Sequence, residues 1–93
     1  MAQVKIGDRE YKLESLTAYD LNKLDKEKKE KTLSDYEYAF YVILHGIKKF
    51  NPEIKMTLDE FMDTFPVVGI KDKLKELEEI TGVNFTQGDA GTK

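Results

Sequence analysis

The stretch Ser34–Phe50, written SDYEYAFYVILHGIKKF, decides the fold of this chain. It opens with a hydroxyl residue, Ser34, three positions before the carboxylate of Glu37, which is the pattern of a helix capping box. Apolar residues then recur every three or four positions, as they do on one face of a helix. We therefore predict a helix over about residues 35–50 and place it at the centre of the core.

The N-terminal segment has the pattern of a β-hairpin over about residues 3–14. Turn residues at Gly7-Asp8-Arg9 separate two short runs in which apolar and polar residues alternate. One face of the hairpin is predicted to carry Val4, Ile6, Tyr11 and Leu13. A two-stranded hairpin is marginal in water, so this face should lie against the helices.

Two further capping boxes begin at Thr17 and Thr57 and predict helices over about 18–28 and 58–65. A fourth helix is predicted over about 68–81 because its apolar residues share one stripe and Gly82 follows as a C-terminal cap. The segment Asp25–Lys31 contains no apolar residue, so we expect a frayed helix end and a solvated loop there.

The predicted fold class is mainly α: a small helical domain of about four helices with an N-terminal β-hairpin. This single domain occupies residues 1–85. The polar, glycine-containing segment 86–93 is expected to be a disordered tail.

The central helix carries two apolar stripes. The broad stripe is predicted to be core and consists of Tyr36, Ala39, Phe40, Ile43, Leu44, Ile47 and Phe50. The second stripe, on the opposite side, consists of Tyr38, Tyr41, Val42 and His45. Two explanations are open for it: it packs under the hairpin or the first helix, or it is exposed and receives a protein partner, since tyrosine suits interfaces that are partly wet.

Composition excludes several classes of function. The 93 residues include no cysteine, so disulfides, thiolate nucleophiles and cysteine zinc sites are absent. A net charge of −3 and a single arginine, Arg9, give no field to attract nucleic acid or an anionic membrane. No apolar run is long enough to span a bilayer, and the N-terminus lacks the apolar core of a signal peptide, so we expect a cytoplasmic protein.

The sequence offers no catalytic, cofactor or metal site. His45 is the only histidine and lies inside a helix, where a packed or partly exposed side chain is expected. The acidic residues Asp59, Glu60 and Asp63 could be imagined as metal ligands, but they suit the first turns of a helix. No calcium loop or glycine-rich phosphate loop is present. We expect a protein that binds other proteins rather than an enzyme.

The order of elements resembles a known family. A hairpin written VKIGDREYKL (residues 4–13) is followed at once by SLTAYDLNKL (15–24), then by an aromatic-rich central helix and further short helices. This layout resembles the small tail assembly chaperones of long-tailed bacteriophages and prophages, especially those of Gram-positive hosts. The likeness covers about residues 3–85 and rests on architecture rather than on a shared motif.

The resemblance implies a function. Members of that family bind the phage tape measure protein, keep its helices soluble, and recruit tail tube subunits. They act in the host cytoplasm and are absent from the mature virion, and many are also made as a longer, frameshifted product. The family has no catalytic residues, so no residue here inherits a role from it.

Two alternatives stay open beside a chaperone. A structural adaptor or connector of a phage particle would form stable dimers or rings by itself. A small DNA-binding regulator would show a basic face on one helix. The residues leave the oligomeric state open, and the binding residues that we predict are those of the second stripe.

Overall fold

The computed structural model of the protein describes residues 2–84. The chain begins with an antiparallel hairpin of strands β1 (Ala2–Ile6) and β2 (Arg9–Leu13), as predicted. Ile6 pairs with Arg9 across a two-residue turn, and Gly7 adopts a positive φ of 65° at the first turn position. Glycine tolerates this conformation because it has no Cβ, so the tight turn forms without strain.

One face of the hairpin is buried against the helices. The side chains predicted for this face, Val4, Ile6, Tyr11 and Leu13, are each at most 3% exposed. The prediction is confirmed, and the reason is the period-two alternation of strand side chains.

Four helices lie within the described residues: α1 (Ala18–Lys31), α2 (Asp35–Phe50), α3 (Leu58–Asp63) and α4 (Ile70–Thr81). All three predicted capping boxes are present, with Thr17, Ser34 and Thr57 as the N-caps. The fold class, mainly α with an N-terminal hairpin, is confirmed. None of these helices is long and apolar enough to cross a membrane.

Helix α2 is the centre of the core. Its residues Phe40, Val42, Ile43 and Ile47 are at most 1% exposed. Strand β2 and helices α3 and α4 pack around it. The approach of β2 is close at Gly46, where a Cβ would lie 2.9 Å from Leu13 Cδ1, so a larger residue there would force the Leu13 side chain to shift.

The C-terminal end of α2 is tied to the hairpin by a buried amide. Asn51, only 7% exposed, accepts a hydrogen bond from Lys12 N at 3.0 Å through Oδ1 and donates from Nδ2 to Lys12 O at 2.8 Å. The same Nδ2 donates to Ile47 O at 2.8 Å in the last turn of the helix. The side chain of Asn51 therefore occupies the outer edge of β2 as a neighbouring strand would.

Three helix boundaries differ from the prediction. Helix α3 ends at Asp63 rather than near residue 65. Helix α1 continues to Lys31 instead of fraying after residue 28, because its charged side chains find partners on α2. Helix α4 begins at Ile70 rather than near residue 68, because Gly69 takes a left-handed φ of 77° immediately before it. Its predicted end at Gly82 is confirmed, with a φ of 80°.

The predicted broad stripe is core except at its ends. Tyr36 is 56% exposed, which corrects its assignment to the core, and Phe50 is only partly buried. Tyr36 lies in the first turn of α2, beyond the elements that cover the middle of the helix. The predicted tail at 86–93, together with Phe85, lies outside the described residues.

Candidate functional site

The second stripe of α2 faces helix α1. Tyr38 donates a hydrogen bond from its hydroxyl to Asp25 Oδ1 at 2.7 Å, and Tyr41 donates to Glu27 Oε1 at 2.5 Å. Val42 is fully buried. Of the two explanations left open, these contacts agree with a stripe that packs under the first helix. Its role in binding a partner stays a prediction, and Tyr38 and Tyr41 are both partly buried.

The environment of both tyrosines opposes ionisation. Burial raises the pKa of Tyr41 to about 12, and the neighbouring carboxylates of Glu27 and Glu30 add to the shift. Burial and the bond to Asp25 raise the pKa of Tyr38 still further. Both hydroxyls therefore remain donors to α1 throughout the physiological pH range.

The second half of α1 is held by polar contacts. The Lys28 Nζ lies 5.0 Å from the centre of the Tyr38 ring and donates to Asp35 Oδ1 at 2.6 Å. Asp35 is the first residue of α2, so this ion pair links the two helices across their short connection. No apolar side chain of α1 beyond Leu24 contributes to the core among the described residues.

The first half of α1 is held by a charged cluster that we call the Asp20 clasp, made of Thr17, Asp20, His45 and Lys49. Asp20 Oδ2 accepts hydrogen bonds from Thr17 N at 2.9 Å and from Lys49 Nζ at 2.6 Å. Asp20 Oδ1 lies 3.1 Å from His45 Nε2. One carboxylate, 5% exposed, thus serves as part of a helix cap and as the ionic partner of α2.

Neighbouring groups stabilise the ionised form of Asp20 in spite of its burial. Burial by itself would raise the pKa of this carboxyl. The hydrogen bonds from Lys49, from Thr17 and from His45 outweigh that effect and hold the pKa well below its usual range. Asp20 therefore stays ionised at neutral pH, and the clasp behaves as a buried ion pair.

The clasp has limited scope for chemistry. An Asp–His pair activates a protein nucleophile only when that group lies within reach of the histidine, but the hydroxyl in the clasp, Thr17 Oγ1, donates to Asp20 at 3.0 Å. Within residues 2–84, no group of three His, Asp or Glu side chains is placed to hold a metal ion. The arrangement of Asp20, His45 and Lys49 joins α1 to α2, and this is the role that its contacts describe.

A different feature presents apolar surface to solvent. We use the name apolar corner for three exposed apolar residues: Tyr36 at the start of α2, and Val67 and Val68 between α3 and α4. The two valines are 79% and 90% exposed. Sequence reasoning missed this surface, because Tyr36 was assigned to the core and Val68 to the start of the last helix.

Ring contacts connect the apolar corner to the core. The Tyr36 and Phe40 rings meet edge to face with centroids 5.1 Å apart, and Phe40 meets Phe65 in the same way at 5.0 Å. Phe65 is followed by Pro66 and then by the two valines, so Tyr36 is in ring contact with this aromatic ladder and the valines follow its last ring along the chain. Such a rigid base fixes the position of the apolar surface.

No protein family, curated protein or solved structure matches this chain.

Proposed function

We propose that this chain is a tail assembly chaperone of a long-tailed bacteriophage or prophage, which acts by binding proteins rather than by catalysis. Its partners in this proposal are the tape measure protein and the tail tube subunits. The chaperone would work in the host cytoplasm and would be absent from the mature virion. The resemblance in layout supplies the family, and the exposed apolar corner supports the binding role.

The single observation that carries the proposal is the exposure of Tyr36, Val67 and Val68 beside a buried aromatic ladder. Isolated apolar side chains are common on protein surfaces, whereas a contiguous apolar patch marks an interaction site, and the proposal takes these three side chains to form such a patch. A tape measure protein presents apolar helical faces before assembly. Burial of those faces against the apolar corner would keep them from aggregating.

The experiment is co-expression of the chain with a tape measure fragment from the same genome, followed by purification through a tag on this chain. The test variant is Val67→Ser/Val68→Ser, which removes apolar surface without touching the core. The matched control is Tyr19→Ser, which removes a large side chain, 73% exposed, beside the Asp20 clasp. Circular dichroism would confirm that both variants fold.

We expect the native chain and the Tyr19 variant to keep the fragment soluble, and the double valine variant to recover roughly tenfold less of it. Equal recovery with all three would show that the apolar corner is not the binding site. A folded native chain that recovers no fragment would contradict the chaperone function. Stable rings of this chain alone would then favour a structural adaptor.

A further inference from the structure

The two edges of the hairpin are not equivalent. Asn51 binds both the N–H and the C=O of Lys12, so these groups point away from β1. Gln3 is the cross-strand partner of Lys12, and in an antiparallel pair both partners then point their backbone groups outward. Because this orientation alternates along a strand, Lys5 also directs its N–H and C=O away from β2.

The outer edge of β1 is open within the described part of the chain. Gln3 and Lys5 are exposed, and no described residue donates to or accepts from their outward backbone groups. On β2, by contrast, the outward groups of Lys12 are bound by Asn51. An edge with free N–H and C=O groups is a template for one more strand.

We propose that the edge of β1 pairs with the same edge of a second copy of this chain, antiparallel and centred on Val4. In this register, Gln3 lies opposite Lys5 of the second copy, and Lys5 lies opposite Gln3 of the second copy. Every outward N–H of these residues then meets an outward C=O of the other chain. The two hairpins form one continuous sheet across a two-fold axis.

The charges on the solvent face favour this register. Lys5 already lies beside Glu10 of β2, and the second copy would add the neutral Gln3 on its other side. A register centred on Lys5 would instead place two lysines opposite each other, which is unfavourable. The strand is therefore self-complementary in hydrogen bonding, and this register places no like charges opposite each other. This inference is independent of the proposed chaperone function.

The test is a dilution series of the full chain, followed by sedimentation and by amide exchange in nuclear magnetic resonance. Backbone pairing of this size corresponds to a dissociation constant of about 0.1–1 mM. We expect the average mass to rise from 10.8 kDa toward twice that value as the concentration approaches this range. The amides of Gln3 and Lys5 should become protected over the same range.

Lys5→Pro is the decisive variant, because it removes an outward N–H and leaves the β1–β2 ladder intact. We expect it to weaken the dimer by roughly tenfold or more, while Lys5→Gln, which keeps the N–H, changes it by less than about threefold. If the proline variant fails to fold, the exchange of the two amides in the native chain decides the question.

Three results would overturn the proposal. One is a mass of 10.8 kDa at every concentration. Another is a dimer in which the amides of Gln3 and Lys5 still exchange freely with solvent, or a dimer that Lys5→Pro does not weaken. The third is protection of these amides only after a tape measure fragment is added, which would assign the edge to a partner strand.

Discussion

Replacing Asp20 with asparagine tests the clasp that holds α1 on α2. The substitution keeps the size of the side chain and removes its charge. The amide oxygen can still accept from Thr17 N, but the bonds from Lys49 and His45 lose the charge that strengthens them. One amide N–H₂ also takes the place of an acceptor. The change therefore removes the charge of the clasp together with one of its acceptors.

The expected loss follows from the burial and the number of partners. Hydrogen bonds to a charged group contribute about 1.5–3 kcal/mol, against about 0.5–1.5 kcal/mol for neutral ones. The Asp20 side chain is only 7% exposed, while the Lys49 side chain is 36% exposed. Water can therefore replace the lost hydrogen bond at Lys49 but not at residue 20. We expect a loss of about 2–3 kcal/mol in the free energy of unfolding at pH 7, which lowers Tm by roughly 8–24 °C for a domain of this size.

The matched control is Glu60→Gln. Glu60 occupies the same capping-box position in α3, where its Oε1 accepts from Thr57 N at 2.9 Å, but it is exposed and has no ionic partner in the described chain. Denaturant unfolding at pH 7 should show a loss of less than about 0.5 kcal/mol for this control. A loss of the same size for Asp20→Asn would refute the idea that the buried charge stabilises the fold.

The pH dependence of Asp20 provides a second check. Its folded pKa lies below the unfolded value of about 3.9, so its contribution is fully present above that pH and declines as the pH falls below it. The native chain should therefore lose stability below about pH 4. In the Asp20→Asn variant, this acid-induced loss should be smaller, because the group that titrates is gone.

Two further predictions concern other contacts of α2. The pKa values of Tyr38 and Tyr41 are raised in the folded state, so their contribution to stability is complete below the unfolded pKa of about 10 and is lost as the pH rises toward 12. In alkaline denaturation, a Tyr38→Phe/Tyr41→Phe variant should therefore lose less stability between pH 10 and 12 than the native chain. An unchanged dependence of stability on pH in that range would contradict this prediction. Asn51→Ala should cost about 2–3 kcal/mol in denaturant unfolding, because it leaves the backbone groups of Lys12 without their partner; a loss of less than about 0.5 kcal/mol would show that water replaces the amide.

The features that were predicted correctly are those whose signal lies within a few adjacent residues. Each capping box is contained within four positions, and the boxes at Thr17, Ser34 and Thr57 all mark true helix starts. The hairpin is similar, since its turn and its alternation are local. Local chemistry is sufficient there because the partner groups are held close together by the chain itself.

The features that were missed depend on partners far along the chain. The residues of α1 beyond Leu24 look like a solvated loop by composition, yet they form helix because Asp25 and Glu27 reach hydroxyls 13 and 14 residues away. Asp20 was expected only as a cap, while its ionic partner Lys49 is 29 residues distant. Such pairs cannot be read from spacing, because many lysines and carboxylates are available to pair.

The end of α1 contains one residue with a strained backbone, and the cost of that strain can be measured. Thr32 is the only described residue other than glycine with a positive φ, 55°, and its branched Cβ makes this left-handed conformation costly. It is held there because its N–H caps α1 and because α2 must begin at Asp35. Thr32→Gly should therefore stabilise the chain by about 0.5–1 kcal/mol, although glycine adds entropy to the unfolded state.

The control for this substitution is Lys31→Gly, one residue earlier and still helical, which should cost about 1 kcal/mol because glycine weakens a helix. Denaturant unfolding of both variants measures the two effects at neighbouring positions. Opposite signs are the outcome that the backbone geometry requires. If Thr32→Gly destabilised the chain as much as Lys31→Gly, the left-handed turn would carry no strain. The contacts between α1 and α2 would then not be holding Thr32 in a conformation that its side chain disfavours.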